Sequence, residues 1–140
     1  MSIVRVLVLI GILATSLNLM AADSKEAKET KALTAANSWL ALVDKKDYKA
    51  SWEETAGFFK SKVTAREWER TVAAVRSPFG NLISRKLKAK VYTTTLPGAP
   101  EGEYVVIQFD SQYQNRKDVS ETITPMLDDS IWKVSGYFAK

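Results

Sequence analysis

The chain has 140 residues, 20 of them Lys or Arg against 16 Asp or Glu, and it contains neither cysteine nor histidine. Their absence excludes disulfide staples, thiolate nucleophiles, serine-histidine and cysteine-histidine catalysis, and metal sites built on either residue. The length suits one domain, and the 46% hydrophobic content suits an ordinary globular core.

Residues 1–22 differ in composition from all that follows. Arg5 precedes an apolar run from Val6 to Ala14, and Met20-Ala21-Ala22 sets small residues before Asp23. Basic, then apolar, then small is the order of a secretory signal peptide. The reading is a leader over 1–22 cleaved after Ala21 or Ala22, a single domain over 23–140, and a periplasmic or secreted product. A retained anchor needs about 20 apolar residues, a length reached here only by counting Ser16 and Asn18. No cysteine follows the apolar run, so a lipobox is excluded and no anchor is expected after cleavage.

Helical spacing dominates from residue 23 to residue 80. Asp23 and Ser24 can cap a first helix with Leu33, Ala36, Trp39, Leu40 and Val43 on one face. Asp47 can cap a second, whose inner face is Tyr48, Trp52, Thr55, Ala56 and Phe59. Thr64 and Glu67 form a capping box for a third. Its inner face is Trp68, Val72, Val75 and Phe79, and Pro78 with Gly80 ends it. The four tryptophans Trp39, Trp52, Trp68 and Trp132 read as core.

Beyond Asn81 the period becomes 2. A first strand over 82–95 puts Ile83, Arg85, Leu87, Ala89 and Val91 inward and Lys86, Lys88 and Lys90 outward. A second over 103–113 turns Val105, Ile107, Phe109 and Tyr113 inward. A third over 119–127 does so with Val119, Glu121, Ile123 and Leu127, and Pro125 requires an edge position or a bulge. The fourth, over 131–139, points Trp132, Val134, Gly136 and Phe138 inward. Short connections imply an antiparallel meander. The expected fold is α+β: three N-terminal helices packed on one face of a curved four-stranded antiparallel sheet, a cone-like two-layer domain.

The stretches RSPFGNLISR at 76–85, LPGAPEGEYVVI at 96–107 and IWKVSGYF at 131–138 resemble a bacterial envelope family, the domain-of-unknown-function family 4019. The helical pattern of Trp39, Asp44, Tyr48, Trp52 and Trp68 is similar too. The resemblance spans about 34–139 and departs at Asp128-Asp129-Ser130, where the family often has glycine after an acidic residue. It implies an envelope location and no particular reaction. The helices-then-sheet order is also similar to the nuclear transport factor 2-like cone.

Two charge patterns mark candidate sites. Arg85 and Glu121 fall on apolar strand faces, where lone charges are costly, and Arg76 follows Val72 by one helical turn. Glu121 is therefore expected to be held by Arg85, Arg76 or both, as a structural pair or as a site for a small anionic ligand. The second pattern is an exposed basic sheet face of Lys86, Lys88, Lys90 and Lys133, suited to an envelope partner or anionic surface. Nothing points to a metal, a cofactor or nucleic acid. Ser130 and Lys133 have serine-lysine spacing but lie in a strand. The functional expectation is a non-catalytic binding or accessory module with a cleft between helices and sheet. The alternatives are an interaction protein using the basic face, or a lyase- or isomerase-like enzyme using Glu121 as base.

Overall fold

The computed structural model describes residues 23–140; the signal peptide assigned to 1–22 lies outside the described residues. Helix α1 (Lys25–Asp44) starts where Ser24 Oγ accepts the Ala27 N–H at 3.1 Å. Asp47 caps α2 (Tyr48–Glu53), and a complete Thr64–Glu67 capping box opens α4 (Ala65–Arg76). The second helix expected from periodicity is two short ones. Thr55 and Ala56 leave the helical path, Ala56 N–H donates to Val134 O at 2.8 Å, and α3 (Gly57–Lys62) begins afresh. A tertiary hydrogen bond to the sheet overrides the local helical pattern. A 3-10 turn, Ser77–Phe79, leads into the sheet.

The sheet is an open antiparallel meander in the order β1 (Leu82–Thr93), β2 (Tyr104–Tyr113), β3 (Arg116–Asp128), β4 (Ile131–Ala139). The helices lie mostly before it in sequence, as an α+β fold requires. Ala32, Ala36, Trp39, Leu40 and Val43 of α1 pack with Val105, Ile107, Phe109, Ile123 and Val134 of the sheet and with Trp68 and Val72 of α4. Each buried large aliphatic side chain there contributes about 1.5–3 kcal/mol. Trp39 and Trp68 are buried and both donate to Ser51, to its carbonyl at 2.8 Å and its hydroxyl at 2.9 Å. Trp52 and Trp132 are only half-buried. Val75, expected inside, is exposed.

Bulges correct the strand faces. In β1, extra residues fall between Leu82 and Ser84 and between Leu87 and Ala89. Arg85 and Leu87 pair with the inward Ser111 and Phe109. Past the second bulge Lys90 and Tyr92 take the inward positions opposite Ile107 and Val105. Ile83, Ala89 and Val91 are therefore not inward as expected, and Ile83 and Val91 are exposed. In β4, three steps from Val134 to Tyr137 match two on β3. Tyr137 consequently turns inward and Phe138 outward. Pro125 sits at that shift in an internal strand, the bulged alternative of the two foreseen. Asp129 and Ser130 both have positive φ, 50° and 67°, as a two-residue hairpin of primed type demands.

Candidate functional site

Where α1, α4 and the sheet converge, seven side chains from six elements form one network. Arg85 of β1 donates through Nε to Glu121 Oε1 of β3 at 2.9 Å. Its Nη1 and Nη2 grip both oxygens of Asp44, the last residue of α1, at 2.8 and 3.1 Å. Nη2 also reaches the Tyr113 hydroxyl at 3.0 Å. Arg76, at the end of α4, donates to Asp44 Oδ1 at 2.6 Å and lies over the Tyr113 ring, 4.8 Å from its centre. Glu121 is fully buried and accepts from Ser111 Oγ at 2.6 Å and from Tyr137 OH at 2.5 Å. Two guanidiniums thus face two carboxylates, and the cluster is neutral.

The electrostatics follow from that balance. Burial alone would raise the carboxyls of Asp44 and Glu121. Hydrogen bonds and charge from Arg85, joined by Arg76 at Asp44 and by Ser111 and Tyr137 at Glu121, outweigh it and hold both below their ordinary range. Burial, with the negative charge of Glu121, pushes the Tyr137 and Tyr113 phenols up. All four ionic groups therefore stay charged at neutral pH and both phenols stay protonated. The cavity at this cluster, bordered by Asp44, Arg76 and Gly80, has about 20 Å³, room for about one water.

A larger opening lies elsewhere. A groove of about 400 Å³ separates α1 and α2 from the start of β4, lined by Trp39, Leu42, Trp132 and Val134 and by Glu54 and Lys133. Beside it runs the outer edge of β4, which pairs with no further strand among the described residues. Leu127 N–H donates across to Glu103 O rather than to β4, and Val134 O is taken by Ala56. Antiparallel alternation then points the Trp132 N–H and C=O to the open edge of β4.

The profile of a protein family of unknown function, DUF4019, matches residues 35–137, a span that contains every charged residue and tyrosine of the network. The chain belongs to this family. No curated protein matches it.

Of the site residues expected from sequence, this family member brings Arg76, Arg85 and Glu121 into one network. Arg85 alone pairs with Glu121; Arg76 goes to Asp44 and comes within 3.5 Å of the Tyr137 hydroxyl. The basic face is divided. Lys86 and Lys88 are exposed near Asp110, Lys90 takes an inward register position, and Lys133 lies on β4 at the far edge, separated from β1 by two strands. Asp44 and Tyr137 were missed as members of the network. Asp44 carried a signal: a carboxylate at a helix C-terminus opposes the helix dipole and needs a cation nearby. Tyr137 carried none, because its inward face depends on the β4 bulge.

Proposed function

We propose that the protein is an exported, non-catalytic binding module of the bacterial envelope, and that its ligand sits in the groove between α1, α2 and β4. The groove is the observation that carries this reading. It offers an apolar, tryptophan-lined wall beside the edge-facing backbone N–H and C=O of Trp132, the composition of a site for a ligand with an apolar body and a hydrogen-bonding group. The leader-like order of residues 1–22 supports export. Catalysis by Glu121 is disfavoured because its carboxylate is committed to Arg85 and held at low basicity. On this reading Arg76, Arg85 and Glu121 do not receive an anionic ligand; they fix α1 and α4 on the sheet.

Native mass spectrometry of protein purified from its own envelope tests both parts. The expected result is a chain beginning at Ala22 or Asp23 that carries a co-purifying small molecule. Ser38→Trp, at an exposed position lining the groove, should abolish that extra mass while leaving the thermal midpoint nearly unchanged. An intact chain from Met1 would overturn export. A ligand retained by Ser38→Trp would overturn the groove.

A further inference from the structure

The long free edge of β1 is a second surface, on the opposite side of the sheet from the β4 groove. Ile83 and Val91 are 65% and 57% exposed, and Leu87 is 44% exposed. Bulges on either side of Arg85 and Leu87 put Leu87 on the inner face of the strand and Val91 on the outer, so the exposed aliphatic groups flank the edge from both sides. Lys86, Lys88 and Lys90 stand between them. Interleaved with the lysines, the aliphatic side chains give this edge both the apolar and the cationic groups that an anionic interface takes. Lys86 also borders a polar cleft of about 430 Å³ on the outer sheet face, together with Lys117 and Lys140.

We infer that the β1 edge docks on an anionic phospholipid bilayer, with Ile83 and Val91 seated at headgroup depth and the lysines against lipid phosphates. Charge complementarity names the occupant. Five lysines lie along this edge and its adjoining cleft, against Asp110 and Asp118 in the cleft and Glu29 beside Tyr92. Long lysine stems reach phosphates from either strand face, so alternation of side chains does not hinder the contact. An added acidic strand is the rival, and β1 is poorly made for it. Two bulges interrupt its ladder, and the edge-facing Tyr92 N–H is already taken by Glu29 Oε1 at 3.2 Å. A bilayer surface needs no register.

Flotation of the protein with vesicles of phosphatidylcholine, alone or mixed equally with phosphatidylglycerol, tests this. It is independent of both the groove and export. Binding is expected only to the anionic vesicles and should fall as salt rises. The triple variant Lys86→Gln, Lys88→Gln, Lys90→Gln should weaken it about a hundredfold. Ile83→Ser with Val91→Ser should weaken it on the order of tenfold while leaving its salt dependence unchanged. Lys133→Gln, on the far edge, should have no effect. Should the triple variant fail to fold, Lys88→Glu at an exposed bulge position gives the same reading. Equal binding to neutral vesicles, no binding at all, or equal loss with Lys133→Gln would each overturn the inference. So would tight capture of an acidic extended peptide without vesicle binding, which would assign the edge to a protein partner.

Discussion

Helix α1 is tied to the sheet by charge at both ends, and the two ties differ in kind. Near its start Lys28 bonds Glu103, an acceptor shared with the Tyr92 hydroxyl, and both side chains remain 22–29% exposed. At its end Asp44 is gripped by two planar guanidiniums whose other partners are fully or nearly buried. The exposed pair gains little, because water and salt screen it and a flexible lysine must be held in place. In the buried network every removal strands an ion, so its parts are interdependent. Similar contacts thus carry very different consequences, decided by the number of donors that stay dry with the acceptor.

The largest separation between the two ties should come from Arg85→Met. It leaves buried Glu121 without its cation and should cost about 3–5 kcal/mol. Adding Glu121→Leu restores the balance to one arginine and one carboxylate and should recover much of that loss, read as the midpoint of urea unfolding. A double variant weaker than the single one would show that the network is net attractive and not merely self-compensating.

Acid should come next. Asp44 and Glu121 have folded-state values below those of the unfolded chain, so they bind fewer protons when folded. The stability they confer is fully present above about pH 4, the unfolded carboxylate range, and drains as pH falls through their lowered values. Stability measured against pH should decline on acidification, with a shallower slope in the Arg85→Met, Glu121→Leu variant. An unchanged slope would place the acid sensitivity elsewhere.

Tyr137→Phe is a gentler cut. The ring contacts to Trp39 and Trp68, at 5.4 and 6.3 Å between centroids, persist while Glu121 Oε2 loses a donor. A cost of about 1–3 kcal/mol is expected by thermal unfolding. Lys28→Met, at the other end, should shift the midpoint hardly at all, and the difference should vanish in high salt.

The sequence legibly carried what short-range chemistry determines. Ser24, Asp47 and the Thr64–Glu67 box mark helix starts because a cap needs only its own first turn. The faces of β2 and β3 followed strict alternation, which put Glu121 inside. Arg85 was also read correctly as inward, yet Ile83, Ala89 and Val91, three of the four residues that argued for it, do not share its face. The inference held because Arg85 and Leu87 lie between the two bulges. No local pattern announces a bulge in a run such as Leu87-Lys88-Ala89, since the extra residue is chosen by the fit of neighbouring strands. The missed Tyr137 and the divided helix at Thr55 have the same origin, a choice made by tertiary contact.

The network also bears on the order in which the chain assembles. Its bonds join residues 32, 36 and 41 positions apart, and Tyr137 closes it from the final strand. Such contacts form only after long loops have closed and β4 has docked. The expectation is a late latch, made after the folding barrier has been crossed, so that Arg85→Met raises the unfolding rate far more than it lowers the folding rate in denaturant-jump kinetics. Lifetime in the folded state is the property that such a latch governs.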